Sequence, residues 1–236
     1  TSANGNVAYT NSQSVTNLAT SGTVTIYAKW TINSYTLTIN PNGGTWNNST
    51  ATQTAKQNYG TTKTVANPTR IGYTFGGWTT SGTCSLSGTT FTYGAGDCTI
   101  TANWTINSYT LRINPNGGTW NNSTAKQTAK QNYGTTKTVA NPTRAGYTFG
   151  GWTTSGTCNL SGTTFTYGAG DCTITAKWTA NTYTVVYNGN GSTGGSMTNS
   201  THTYDTAKNL TTNAYTKTGY SFSGWSTSAN GNVAYT

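Results

Sequence analysis

From Ser34 the chain alternates: Tyr35, Leu37 and Ile39 fall on one side, Thr36 and Thr38 on the other. A period of two marks a strand with one face buried. The same pattern puts Cys98, Ile100, Ala102 and Trp104 on one face, with Asn103 opposite. Between these segments Tyr73 and Phe75 share a face, and strict alternation would put Trp78 on the other. Gly76-Gly77 allows a bulge that returns Trp78 to the core. Pro41 to Gly44 is a turn, because proline fixes φ and Asn-Gly accepts positive φ. Phe91 to Cys98 reads as a strand, a glycine turn and the start of the last strand. The predicted core is therefore Tyr35, Leu37, Ile39, Tyr73, Phe75, Trp78, Phe91, Ile100 and Trp104.

The pattern recurs. Residues 32–105 are followed by a copy, 106–179, that differs at five positions. The changes are Thr38 to Arg112, Thr52 to Lys126, Ile71 to Ala145, Ser85 to Asn159 and Asn103 to Lys177. A fixed period of this length marks an array of small supersecondary units. A unit copied almost verbatim suits spanning, presenting or polymerising, whereas a catalytic centre is normally built once. The ends belong to the same scheme. Thr1 to Thr10, TSANGNVAYT, recurs as Thr227 to Thr236, an offset of 226 residues. Joining 180–236 to 11–31 yields a third unit whose last strand, Thr23 to Thr31, keeps the apolar face as Val24, Ile26, Ala28 and Trp30. The expected division is thus 1–31, the C-terminal part of a third-type module; 32–105, module one; 106–179, module two; and 180–236, the N-terminal part of a third-type module. The chain reads as an excerpt of a longer array. A continuous polypeptide is favoured over exchanged strands, since exchange would place TSANGNVAYT twice at each joint.

Composition sharpens this picture. Charged residues are 6%, yet there are eight Trp and sixteen Tyr, more aromatics than a disordered chain carries. Glutamate is absent and threonine is abundant, which favours strands and turns over helices. No apolar run approaches the length of a membrane span, and no signal peptide is visible. The net charge is +9, but no two basic residues are adjacent. A nucleic-acid footprint wants clustering, so no nucleic-acid partner is expected. Thinly spread charge leaves room for weak attraction to a cell-wall polymer or glycan.

The chemistry-bearing residues are few. Cys84 and Cys98 recur as Cys158 and Cys172, and the third unit lacks both members. Presence or absence as a pair points to disulfides Cys84–Cys98 and Cys158–Cys172, and hence to an oxidising, extracytoplasmic setting. A zinc site lacks ligands, with one histidine in the chain; neither metal nor cofactor is expected. The acids are Asp97, Asp171 and Asp205, about one per unit, which does not make a glycosidase pair. His202 near Asp205 is weighed as a catalytic dyad and read as a polar strand residue. Trp46 and Trp120, in WNNST turns, are candidate sugar-stacking residues, with the alternative that they cover a core.

The series SYTLTINPNGGTW, NPTRIGYTFGGW and TITANWT resembles the Listeria–Bacteroides repeat, the B-repeat of internalin-type surface proteins. YTVVYNGNGSTGGSM with TGYSFSGWSTSANG resembles another variant of it. The resemblance implies a mainly β, elongated tandem array of small β-grasp-like modules on bacterial secreted or surface proteins. It carries over no catalytic residues. Two functions follow: a structural, non-enzymatic segment of an extracellular fibre or surface stalk, whose partner is itself, head to tail; or an adhesin repeat that binds a glycan or host protein. The first is favoured, because the near-identical copies show no polar-aromatic cluster beyond core and turns.

Overall fold

The computed structural model describes residues 9–232, 234 and 235. Residues 1–8, 233 and 236 of the two expected end segments lie outside the described residues. Every regular element among the described residues is a strand. The chain forms two compact units, Thr1–Ile106 and Asn107–Thr236.

The first unit contains β1 (Ser34–Asn40), β2 (Gln53–Asn58), β3 (Thr62–Thr64), β4 (Tyr73–Ser87) and β5 (Thr90–Ile106). They make one sheet in the order β2-β1-β5-β3, with β4 also paired to β5. The last strand organises it. β5 runs antiparallel to β4 along nearly its whole length, from Ser87↔Thr90 to Tyr73↔Ile106. Its other edge takes β3 first, and then β1 in parallel, with Leu37 opposite Cys98 and Ile39 opposite Ile100. The two faces that alternation picks out at the sequence level thus meet as neighbours.

The core holds Leu37, Ile39, Val65, Phe91, Tyr93, Cys98 and Ile100, with Trp46 at its margin. Of the nine expected core residues, Leu37, Ile39, Phe91 and Ile100 are fully buried. Tyr35, Tyr73, Phe75, Trp78 and Trp104 are only half-buried. The reason is geometric. For Tyr73, Phe75, Trp78 and Trp104, the β1 pairing with β5 ends at Asn40↔Thr101, so residues 102–106 are strand-paired to β4 alone. On this two-stranded extension the aromatics cover one another: Phe75 lies edge-on to Trp78 at 5.4 Å and to Trp104 at 5.6 Å. The expected bulge is present. The β4–β5 register shifts between Phe75 and Trp78, and Gly77 takes φ +102°, a conformation that disfavours any side chain. Trp78 then packs against the core.

The second unit repeats this sheet with β6 (Ser108–Asn114), β7 (Gln127–Asn132), β8 (Thr136–Thr138), β9 (Tyr147–Ser161) and β10 (Thr164–Ala180), in the order β7-β6-β10-β8 with β9 on β10. It adds a two-stranded sheet, β11 (Thr182–Val185) with β12 (Ser200–Thr203). β11 and β12 keep the register of β1 and β2: Val185 faces Ser200 as Leu37 faces Ala55. The strand expected at Thr23 to Thr31 does not form. Residues 11–31 carry no strand and are exposed throughout: an apolar alternation makes a strand only where a neighbouring strand takes its hydrogen bonds, and among the described residues none lies beside this segment.

Candidate assembly interface

Both disulfides form. Cys84 and Cys98 sit on paired strands with Cα atoms 5.1 Å apart, and Cys158 and Cys172 repeat this at 5.1 Å. Each bridge lies where the strand register slips, at Gly82/Cys84 in the first copy, and so ties the two strands together where the ladder is interrupted.

The acids beside these bridges serve the backbone. Asp97 Oδ1 accepts from the Thr36 amide at 2.7 Å, and Asp171 Oδ1 from the Thr110 amide at 2.8 Å. Each carboxylate thereby anchors the start of a strand to the closing strand beside it. Arg112 adds a 3.0 Å ion pair to Asp171 Oδ2 that Thr38 cannot offer Asp97. The Thr110 amide, aided by the Arg112 guanidinium, holds the Asp171 carboxyl below its ordinary pKa.

Trp46 and Trp120 are each 8% exposed. Their Nε1 atoms donate to the carbonyls of Ala66 and Ala140, both at 2.8 Å. The turn beside Trp46 is a two-residue reversal: Trp46 and Ser49 exchange backbone bonds across Asn47 and Asn48, both at positive φ. The turn tip is exposed while the indole folds back onto the core.

His202 is 4% exposed. Its Nε2 lies 2.8 Å from Ser200 Oγ, which is 2.9 Å from the Tyr187 hydroxyl. The ring stacks on Tyr183 at 5.7 Å. Asp205 is engaged elsewhere, so this network aligns no His–Asp dyad.

Asp205 takes part in an arrangement within the second unit that joins sequence copies. Arg144 lies over the Tyr147 ring at 3.7 Å. Tyr147 meets Tyr204 edge-to-face at 5.6 Å, and its hydroxyl donates to Asp205 Oδ2 at 2.8 Å. The Tyr204 amide bonds the Asn181 carbonyl, the Asn181 amide bonds the Gly146 carbonyl, and Thr148 Oγ1 donates to Asn181 Oδ1. Gly146 is required, since a Cβ there would strike the Tyr204 ring. The hydrogen bond to Asp205 raises the Tyr147 pKa above its ordinary value. A cluster of one stacked cation, two phenols and a carboxylate is suited to holding surfaces together.

The components recur along the chain. Arg70 lies over Tyr73 at 3.9 Å and Lys217 over Tyr220 at 4.8 Å. Tyr59 and Tyr133 hold the sequence position of Tyr204, and Gly60 and Gly134 that of Asp205. Sequence reasoning missed this cluster. The signal was the repeated Arg/Lys-x-Gly-Tyr, which reads as the lead-in to a strand.

Beside β11, residues from 186–192 and 213–231 line an open groove of about 710 Å³, with Val186, Tyr215, Tyr220, Phe222 and Trp225 among its walls. Among the described residues no helix is long and apolar enough to cross a membrane.

Comparison with known proteins agrees with the repeat pattern. The model of the Listeria–Bacteroides repeat domain matches residues 35–106, 109–177 and 183–236. Two relatives come from Evansella cellulosilytica. One, provisionally named a membrane protein, is 29% identical over 218 residues, which are 88% of this chain and 31% of the relative. The other, provisionally named a Gly-rich membrane protein, is 31% identical over 170 residues, 70% of this chain and 18% of the relative. The chain thus spans about a third or less of either relative.

Proposed function

Because the chain belongs to the Listeria–Bacteroides repeat family, we propose that it is a structural, non-enzymatic segment of a bacterial extracellular fibre or surface stalk. In this reading 32–105 and 106–179 are complete β-grasp-like modules, and 1–31 and 180–236 are the two parts of a third type. The β2-β1-β5-β3 order around a parallel central pair supports the β-grasp likeness.

The observation that carries the proposal is the Arg144–Tyr147–Tyr204–Asp205 cluster. Its cation and its two tyrosines recur in every copy, and the carboxylate is peculiar to the last segment, where Gly60 and Gly134 stand in the other two. A joint between unlike surfaces, repeated along a chain, is open-ended and propagates. The remaining polar side chains support the reading from another side. Asp97, Asp171, Trp46, Trp120 and His202 each satisfy a local backbone or side-chain partner. The two disulfides fit an extracellular or cell-surface location.

Electron microscopy of native material tests this directly. Threads or stalks on the cell surface are expected. Compact, isolated particles would sink the proposal.

A further inference from the structure

The copies 32–105 and 106–179 differ at five positions, and the changes are not scattered over the surface. Those that alter charge are Thr38 to Arg112, Thr52 to Lys126 and Asn103 to Lys177. Each exchanges a neutral residue for a cation. In the fold all of them lie on one face. Arg112 stands between the fully buried Leu111 and Ile113 on β6, so its side chain leaves the sheet on the side away from the core. Lys177 follows the buried Ala176 on β10 and is exposed. Lys126 precedes β7, and the register that pairs Ile113 with Gln127 carries it to Asn114, again on the outer side.

Lys130, paired with Thr110, completes the set. The outer face of the second copy thus carries the exposed cations Lys126, Lys130, Arg112 and Lys177 and one carboxylate, Asp171. The first copy has only Lys56 and Asp97 there. The cations form a stripe. Arg112 pairs with Thr128, midway between Lys126 and Lys130, which puts its Cα about 8 Å from that of each lysine. Lys177 lies two residues along β10 from Thr175, the partner of Asn114, and its Cα is about 12 Å from that of Lys126. The outward positions between them are Thr110, Thr128, Thr173 and Thr175, hydroxyls and no aromatic ring. Residues scattered along the sequence are gathered here by strand pairing alone.

We propose that this face binds a flexible phosphodiester polymer without bases, laid along the cation stripe, and that this binding distinguishes the second copy from the first. The chemistry of the face selects the occupant. Lysine ammonium groups bind phosphate as point charges. Arg112 uses Nη1 on Asp171 and keeps further guanidinium donors. Threonine hydroxyls donate to phosphate oxygens. Nucleic-acid bases want an aromatic platform, which these outward positions lack. A neutral glycan gains nothing from the charges. A second copy of this chain is a poor partner, since it has three acids, of which Asp171 and Asp205 are already bonded. The inference goes beyond the structural reading and holds whether or not the chain forms a fibre.

The copies supply their own control. Arg112→Thr, Lys126→Thr and Lys177→Asn together return the face to the residues that the first copy carries on the same sheet, so the fold is kept. The probe is poly(glycerol phosphate), and its affinity for the full chain is measured by calorimetry across a range of salt concentrations. Loss of three phosphate contacts should weaken binding at low salt by roughly ten-fold or more and reduce the slope of log K against log salt by about two. Lys29→Thr, Lys56→Thr and Lys208→Thr remove as many exposed cations elsewhere, and that variant should stay within about two-fold of the parent. The converse change, Thr38→Arg with Thr52→Lys and Asn103→Lys, should add a second site. Equal losses in the two triple variants would mean attraction to net charge alone and would overturn the site, as would a parent that does not bind. Single-stranded DNA or hyaluronate bound more tightly than poly(glycerol phosphate), at equal charge, would overturn the choice of occupant. None of these results changes what microscopy shows of threads, so this inference and the structural reading fail separately.

Discussion

Tyr147 Oη donates a 2.8 Å hydrogen bond to Asp205 Oδ2, joining positions 58 residues apart. The acceptor is peculiar to the last segment. Asp205 takes φ +57°, the left-handed region that Gly60 and Gly134 occupy at the same sequence position. Aspartate tolerates that region better than most residues, so the chain has placed a carboxylate on the joint at little backbone cost.

This bond makes the joint sensitive to alkali. The Tyr147 pKa is raised, first by the Asp205 hydrogen bond. A raised folded-state pKa contributes stability that is complete below the ordinary tyrosine value and is lost as pH rises through the raised one. Phenolate absorbance should show Tyr147 titrating late together with the buried Tyr93 and Tyr167, and Asp205→Asn should bring Tyr147 alone back toward the ordinary value. An unchanged titration in that variant would show that the bond does not form in solution.

Acid should act on Asp171. Its carboxyl is held low by the Thr110 amide, aided by Arg112. The contribution is present above the ordinary carboxylate pKa and is lost as pH falls through the depressed value. The ion pair is about half exposed and screened by solvent, so Arg112→Thr should lower stability only slightly at neutral pH. The measurement is urea unfolding at neutral and at acid pH, and the gap between variant and parent should close in acid.

The strand faces were legible because alternation is local. Leu37, Ile39, Ile100 and Ala102 are fully buried as their period requires. The parallel meeting of β1 with β5 was not legible, since the partners lie some sixty residues apart and no local signal names them. Val65 and Tyr93 were missed as core for different reasons. Val65 follows β3, which ends at Thr64 and is three residues long, too short to show a period, whereas Phe91-Thr92-Tyr93 alternates as a strand does. β2, QTAKQN, is polar on both sides and gave no strand signal. Of the candidate site, the cysteine pairs were readable from their joint presence. The tyrosine joint was not, because its members belong to different copies and only folding brings them together.

Both disulfides should be found in native material. Thiol labelling before reduction should modify no cysteine. Reduction should then destabilise each bridged copy by about 3 kcal/mol, as expected for a loop of this size. Labelling of all four cysteines would refute the assignment.

Trp78 depends on the bulge before it. Trp78→Ala should cost about 3 kcal/mol, the low end for a large aromatic, because the ring is only half-buried. A Cβ added by Gly77→Ala meets no neighbouring atom within 4 Å. Its cost of about 1–3 kcal/mol should come from backbone strain alone. Thermal melts of the two variants test this, and a Gly77→Ala chain as stable as the parent would mean that the bulge relaxes.

Trp46→Ala and Trp120→Ala should each destabilise their copy by about 3–4 kcal/mol, since each indole packs on the core and donates to a backbone carbonyl. Glycan-array binding by the parent that disappears in variants whose melts are unchanged would instead give these residues an adhesive role.

The parallel pairing of β1 with β5 has a mechanical consequence. The polypeptide comes in at the N-terminal end of β1 and goes out at the C-terminal end of β5, which lie at opposite ends of the shared ladder. A pull along the chain therefore slides one strand past the other and loads their hydrogen bonds together, in shear, instead of opening them one at a time. The Cys84–Cys98 bridge meanwhile keeps residues 85–97 from lengthening the chain. The covalent clamp that steadies each copy at rest thus also limits how far that copy can extend under load.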